Sequence, residues 1–119
     1  MPRTPVKSIL MVEDERAILE LMTDELRDLG FTVYPAETAE EGLQILESEP
    51  EIDLLFTDIR LPGRLDGWDL AERARHARPE LKVIYATGYS VVPSRVLPGA
   101  QFFKKPYPLA KIFDAIASI

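Results

Sequence analysis

Cysteine is absent from the 119 residues, and histidine occurs once. These deficits exclude a disulfide framework, a thiolate metal site, a cysteine nucleophile and a histidine-rich metal site. No apolar run approaches the roughly 20 residues that a membrane-spanning helix needs. Residues 1–7 also lack the apolar core of a signal peptide. We therefore expect a small soluble domain located in the cytoplasm, with no membrane partner.

The chain also has fewer basic than acidic residues. The chain has 14 lysine and arginine residues against 20 aspartate and glutamate residues, which gives a net charge of −6 and a pI near 4.8. Nucleic-acid affinity comes largely from neutralising phosphates with basic side chains, so a nucleic-acid partner is not expected. The hydrophobic fraction of 46% is that of a globular protein, and the length suits one domain.

Short apolar runs alternate along the chain with longer segments of helical spacing. The runs predict strands at 8–12, 31–34, 52–57, 81–86 and 101–103. The spacing predicts helices at 16–29, between Thr38 and Pro50, at 68–77 and at 109–119. Gly30 is expected to end the first helix. Thr38 is expected to cap the second helix, with Glu41 completing a capping box.

This alternation predicts a parallel sheet with helices on both faces. The stretch 89–100 is the least regular part, because Pro93 and Pro98 leave room for at most a short helix there. In such sheets, ligands bind beyond the carboxyl ends of the strands. The residues that follow the apolar runs should therefore meet at one edge, and they are Glu13, Asp14, Asp58, Thr87 and Lys105.

Three clustered carboxylates repel one another unless a cation lies between them. Oxygen ligands without cysteine or histidine favour a hard cation such as Mg²⁺. An aspartate beside such a metal can attack phosphorus and form an aspartyl phosphate. A lysine and the metal would neutralise charge on the phosphoryl oxygens, and a threonine hydroxyl could donate to one of them.

Each of these residues alone has an ordinary structural explanation. Asp14 or Glu15 could simply be an acidic residue at a helix N-terminus, and Asp58 could open the loop at 61–67. Lys105 could be a surface lysine, and Thr87 could belong to a turn. Their shared position at successive strand ends favours the functional interpretation.

Five segments together resemble the receiver domain of two-component response regulators. They are ILMVEDE (9–15), LLFTDIRLPG (54–63), DG (66–67), ATG (86–88) and KKP (104–106). The resemblance covers essentially the whole chain and implies one receiver domain over residues 1–119, with no output domain in this chain. It implies a flavodoxin-like (βα)5 three-layer sandwich, with strand order 2-1-3-4-5 and a short or irregular fourth helix.

The resemblance also implies roles for individual residues. Asp58 would be the phosphoacceptor, sharing Mg²⁺ or Mn²⁺ with Glu13, Asp14 and the backbone carbonyl of Arg60. Glu13 stands where the family often has aspartate, and we expect it to retain metal binding, directly or through water.

The remaining roles that the resemblance implies concern contacts with the phosphoryl group and a conformational switch. Thr87 and Lys105 would contact the phosphoryl group. Thr87 would also form the conformational switch together with Phe102. The peptide bond before Pro106 would be cis. Phe102 replaces the more usual tyrosine, so coupling to Thr87 would act through ring packing. A shortened fourth helix makes the usual receiver dimer less expected, so a monomer or weak dimer is predicted.

The expected function is that of a phosphoacceptor signalling domain in a phosphorelay, not that of a turnover enzyme. The donor would be a sensor histidine kinase or a histidine phosphotransfer protein, docking near the first helix and the loops around Asp58. Output would pass to an unknown downstream protein, and the chain would be a stand-alone or hybrid-kinase-type receiver. The alternative is a phosphate sink or shuttle without conformational output.

Two other classes fit the sequence less well. An aspartyl-phosphate hydrolase would need a general acid two residues after Asp58, where Arg60 stands. A flavin-binding protein of the same fold would need a phosphate-binding loop after the first strand, where Glu13, Asp14 and Glu15 would repel the phosphate.

Overall fold

Strands and helices alternate along the chain in the computed structural model, which describes residues 5–88 and 95–119. The strands are β1 (Ser8–Val12), β2 (Thr32–Ala36), β3 (Leu54–Asp58), β4 (Lys82–Thr87) and β5 (Gln101–Lys104). The helices of the described residues are α1 (Arg16–Asp28), α2 (Ala39–Ser48), α3 (Gly67–Ala77) and α4 (Leu109–Ser118). All strand pairs are parallel, in the order β2-β1-β3-β4-β5. The predicted sheet and its strand order are confirmed.

Side chains of successive strand residues enter two different cores, one on each face of the sheet. On one face, Leu10, Leu55 and Val83 pack with buried residues of α2 and α3. On the other face, Ile9 and Phe56 pack with buried residues of α1 and α4. Because the strands are buried on both faces, they have continuous apolar runs instead of an alternating pattern. The three-layer sandwich is therefore confirmed.

The ends of several strands differ from the predicted bounds. The predicted bounds of β3 and β4 stop at residues 57 and 86, but Asp58 and Thr87 are the last residues of these strands. The ladder continues there, since Ile59 N donates to Ala86 O at 3.1 Å and Lys105 N donates to Thr87 O at 2.7 Å. Apolar patterns do not detect such polar strand ends, because the backbone forms these bonds.

β2 was also predicted too short, at 31–34 instead of Thr32–Ala36. It contains Pro35, which we placed after the strand. β2 lies at the edge of the sheet, and within residues 5–88 and 95–119 its one partner strand is β1. An edge strand tolerates a residue that cannot donate a hydrogen bond, which explains the error.

The helices lie where the sequence predicts them, although α1 and α4 each end one residue earlier than predicted and two further differences occur at the starts of α2 and α3. Gly30 ends α1 with a φ of 99°, and Phe31 N and Gly30 N donate to Leu26 O and Arg27 O. These bonds form a Schellman motif, and the prediction that Gly30 ends the first helix is confirmed. Thr38 Oγ1 accepts from Glu41 N at 3.1 Å.

The first of these two differences is the capping box of α2, which is only half formed. The Glu41 carboxylate accepts a hydrogen bond from Glu37 N at 2.9 Å instead of one from Thr38 N. The second is α3, which begins at Gly67 instead of Trp68 and has a complete box formed by Asp66 and Asp69. We did not predict this box.

The connection between β4 and β5 is described only from Arg95 onward. The prediction of at most a short helix at 89–100 therefore falls partly outside the described residues, since 89–94 are not among them. Residues 95–100 are turn and irregular structure with no helix. They are held on α3, because Arg95 donates to Asp69 and Glu72 at 2.8–3.1 Å and Arg75 donates to Pro98 O at 2.9 Å. No helix in the described ranges is long and apolar enough to cross a membrane.

Candidate functional site

The residues predicted to form a site lie at the carboxyl edge of the sheet. Glu13 follows β1, Asp58 and Thr87 end β3 and β4, and Lys105 follows β5. Backbone hydrogen bonds extend each ladder past the strand, including one from Glu13 N to Ala36 O at 3.0 Å. The parallel sheet therefore fixes the backbone from which each side chain extends.

Three carboxylates form the acidic part of this site. Glu13, Asp14 and Asp58 each offer an oxygen, and these oxygens lie within 4.8 Å of one another. Glu13 and Asp58 are buried, with 1% and 7% exposure, whereas Asp14 is exposed. Buried like charges at this distance repel one another strongly.

Lys105 supplies positive charge to the two buried carboxylates. Its Nζ donates to Asp58 Oδ2 at 3.0 Å and also forms an ion pair with Glu13 Oε1. Burial lowers the pKa of Lys105, but the hydrogen bonds to Glu13 and Asp58 outweigh this effect and leave the pKa raised. Lys105 is therefore held in its charged form.

One ammonium group does not neutralise the cluster. Burial and, to a smaller extent, the nearby Asp58 outweigh the lowering effect of Lys105 and leave the pKa of Glu13 raised to about 7. Among the described residues, Asp58 Oδ1 is buried and has no hydrogen-bond partner. An unpartnered carboxylate oxygen in an acidic cluster fits a hard divalent cation. The residues present thus suit Mg²⁺.

An open cleft of about 480 Å³ gives access to the cluster. Asp14, Asp58 and Lys105 line it together with Arg60, Leu61 and Pro62 of the loop after β3. Arg60 is an exposed residue of this part of the lining. The peptide bond between Lys105, which also lines the cleft, and Pro106 is cis.

Thr87 and Phe102 lie on the neighbouring strands β4 and β5. Thr87 is buried at the end of β4, where its carbonyl accepts from Lys105 N. Phe102 lies on β5 and its ring stacks on Trp68 of α3, at a centroid distance of 6.2 Å and an angle of 16°. Trp68 also contacts Tyr85, at 4.8 Å. Phe102 is therefore packed against the α3 side of the sheet and is not part of the carboxylate cluster.

An apolar groove of about 560 Å³ adjoins the cleft and shares Glu15, Gly88 and Lys105 with it. Ile18 and Leu21 of α1 line the groove together with Tyr107 and Leu109. Among the neighbouring apolar residues of α1, Leu19 and Met22 are buried in the core, Met22 also lines the groove, and Ile18 is half-buried.

Leu21, with 54% exposure, was missed. Its position off the buried stripe formed by Leu19, Met22 and Leu26 could have identified it. Tyr107 was also missed. Its ring lies 6.1 Å from that of Phe56, and burial raises its pKa to about 12.

Comparison with known proteins identifies the family. The family model named "Response regulator receiver domain" matches residues 9–117. The chain belongs to this family. Receiver domains are the signalling domains of two-component systems, and they bind Mg²⁺ at an acidic site.

Relatives of this receiver domain include proteins of similar length and longer ones. It is 31% identical over 115 residues to the response regulator receiver protein CpdR of Brucella abortus, and the match covers 93% of this chain and 94% of that protein. The chain spans only 25% of the length of two curated transcriptional regulatory proteins that it also matches.

Solved receiver structures have the same fold. A response regulator receiver protein from Sinorhizobium medicae aligns with a TM-score of 0.88 and 29% identity, covering 95% of this chain and 93% of that one. The response regulator TrrA of Thermotoga maritima, solved in complex with Mg²⁺ and BeF, aligns with a TM-score of 0.82 and 30% identity, covering 94% and 97%.

Proposed function

We propose that this receiver domain is a phosphoacceptor in a two-component phosphorelay and that Asp58 receives the phosphoryl group. The observation that carries this proposal is the environment of the Asp58 carboxylate. One of its oxygens is held by Lys105 Nζ at 3.0 Å, and the other is buried without a partner among the described residues. The carboxylate borders an open cleft through which a phosphoryl donor can approach.

Mg²⁺ would be held by Glu13, Asp14, Asp58 and the backbone carbonyl of Arg60, and Mn²⁺ would suit the same oxygens. The acidic cluster supports this assignment, as does the Mg²⁺ in the similar TrrA structure. When bound, the metal supplies positive charge that neutralises the phosphoryl oxygens.

Side chains of this receiver domain would perform the phosphoryl transfer. A carboxylate oxygen of Asp58 forms a bond to phosphorus while the bond between phosphorus and the donor's histidine nitrogen breaks. The electron pair of that bond returns to the imidazole. Lys105, already hydrogen-bonded to Asp58, stabilises the negative charge on the phosphoryl group, and Thr87 donates its hydroxyl hydrogen to a phosphoryl oxygen.

The donor would be a sensor histidine kinase or a histidine phosphotransfer protein that docks on the apolar groove beside the cleft. Ile18, Leu21, Tyr107 and Leu109 offer apolar contact in this groove. The position supports docking, because the groove shares Lys105 with the cleft and so borders Asp58.

The phosphorylated domain would signal to a downstream protein through a rearrangement around Thr87 and Phe102. Phosphorylation adds roughly −1.5 to −2 charge to the site, and new bonds from Thr87 and Lys105 would stabilise the rearranged state. Without such a rearrangement the domain would be a phosphate sink or shuttle.

Binding of beryllofluoride tests the assignment of Asp58. Fluorine NMR of the wild type should show bound beryllofluoride only when Mg²⁺ is present, and Asp58→Asn should remove the bound signal. Asp53→Asn is the control, because the Asp53 carboxylate accepts from Lys7 N and Ser8 N at the opposite edge of the sheet. A bound signal of equal strength in Asp58→Asn would contradict the assignment.

A further inference from the structure

The first residue of α3 lies against the backbone of the proposed phosphoacceptor. A Cβ at Gly67 would be 2.0 Å from Asp58 O, 2.9 Å from Asp58 C and 2.7 Å from Ile59 Cα. All three are backbone atoms, so no side-chain rotation can relieve the overlap. Any other residue at position 67 requires α3 or the end of β3 to move.

Conformational freedom does not explain this glycine. The glycines with positive φ among the described residues are Gly30, Gly63 and Gly99, and Gly67 is not one of them. Helix propensity does not favour glycine over alanine either. Close approach to Asp58 is therefore the physical reason for a glycine here.

The peptide group between Asp58 and Ile59, which Gly67 contacts, and the next peptide group are together held by three hydrogen bonds. Gly67 N donates to Ile59 O at 2.7 Å, and Ile59 N donates to Ala86 O at 3.1 Å. Thr57 Oγ1 donates to Asp58 O at 2.8 Å. These bonds fix the backbone from which the Asp58 carboxylate reaches Lys105.

The first turn of α3 is also fixed. The capping box between Asp66 and Asp69 holds its start, and the ring of Trp68 is buried against Tyr85. Because α3 and β3 are both anchored, a Cβ at position 67 has to displace the Asp58 backbone as well as the helix.

From this contact we propose that Gly67 is a positioning residue for phosphoryl transfer to Asp58, a proposal that rests on the proposed function. Gly67 allows α3 to pack directly against the Asp58 backbone. This packing sets the position of the Asp58 carboxylate relative to Lys105. Displacements of about 1 Å at a reacting group can lower a rate by about 10²-fold. Gly67→Ala should therefore slow phosphorylation in molecules that are folded.

The test compares Gly67→Ala with Gly42→Ala. Gly42 is also a buried helical glycine, but a Cβ there would meet only side chains, at 3.2 Å for Val12 and 3.7 Å for Leu10 and Leu70. The folded fraction of each variant is measured by urea unfolding. The rate of phosphorylation by acetyl phosphate with Mg²⁺ is measured by intact mass and divided by the folded fraction.

We expect the rate per folded molecule to fall about ten-fold in Gly67→Ala and to stay within two-fold of the wild type in Gly42→Ala. If either variant is less than half folded, both are assayed in trimethylamine N-oxide, which favours the folded state. A merely structural role would lower stability without changing this rate, so a decrease of less than three-fold in Gly67→Ala would overturn the proposal. Failure of the wild type to be phosphorylated would overturn the proposed function itself.

Discussion

At the scale of single residues, charge at the carboxyl edge of the sheet is the decisive feature. Lys105 contacts both Glu13 and Asp58, yet the pKa of Glu13 is still raised to about 7 because burial and Asp58 outweigh the lysine. The cluster is therefore short of positive charge. This arrangement suits a divalent cation. It also suits an incoming phosphoryl group whose negative charge is offset by Lys105.

Leu21 gives a residue-scale prediction about the donor. Leu21→Glu would place a charge in the apolar groove, so we expect phosphotransfer from a histidine phosphotransfer protein to slow at least five-fold, roughly 1 kcal/mol. Leu29→Glu is the matched control, because both leucines are 54% exposed on the surface around α1 and Leu29 lies outside this groove. Phosphorylation by acetyl phosphate should be unchanged in both variants.

Rates of phosphotransfer are measured with any purified phosphotransfer protein that phosphorylates the wild type. Equal rates for Leu21→Glu and the wild type would show that the groove is not the docking surface. A loss of acetyl phosphate labelling in Leu21→Glu would instead indicate damage to the site.

Sequence patterns could predict Glu13, Asp58 and Lys105 because parallel strands bring their carboxyl ends together. The packing of Phe102 on Trp68 could not be predicted, since these residues are far apart in sequence and meet only through the placement of α3 on the sheet. Gly67 was part of a recognised motif, but its contact with Asp58 depends on backbone distances that the sequence does not contain.

At the scale of elements, the start of α3 is stabilised by Asp69. Asp69→Ala removes the acceptor for Asp66 N and a partner of Arg95, so we expect the free energy of unfolding to fall by about 1 kcal/mol. Glu72→Ala removes only an exposed ion pair with Arg95 and should cost less than about 0.5 kcal/mol. Urea unfolding at neutral pH measures the free energy of unfolding of both variants. Equal decreases in Asp69→Ala and Glu72→Ala would contradict the capping role of Asp69.

The contribution of Asp69 should depend on pH. The hydrogen bond from Asp66 N and then that from Arg95 lower the pKa of Asp69 below its ordinary value of 3.8. A lowered carboxyl pKa adds stability above the pKa of the unfolded chain, and this stability is lost as the pH falls through the folded-state pKa. The difference between the wild type and Asp69→Ala should therefore narrow below about pH 3.8. A difference that widens on acidification would contradict this account.

The order and type of the elements could be predicted because apolar runs and helical spacing are strong patterns. The ends of β3 and β4 could not, since Asp58 and Thr87 are polar residues that nevertheless belong to the ladder. The α3 capping box was missed because aspartate replaces the usual glutamate or glutamine at its third helical position.

At the scale of the whole molecule, the site and the β4–β5 connection are joined through α3. The first residue of α3 contacts the Asp58 backbone, and Asp69 and Glu72 bind Arg95. Beryllofluoride at Asp58 should therefore change amide hydrogen exchange in peptides covering 95–100 and the first turn of α3. Mass spectrometry would measure this, and changes confined to the cleft would favour the phosphate sink or shuttle.

The central claim is that Asp58 accepts a phosphoryl group, and intact mass after incubation with acetyl phosphate and Mg²⁺ tests it most directly. The account predicts a gain of one phosphoryl group in the wild type and in Asp53→Asn, and no gain in Asp58→Asn or without Mg²⁺. A gain of the same size in Asp58→Asn would contradict it.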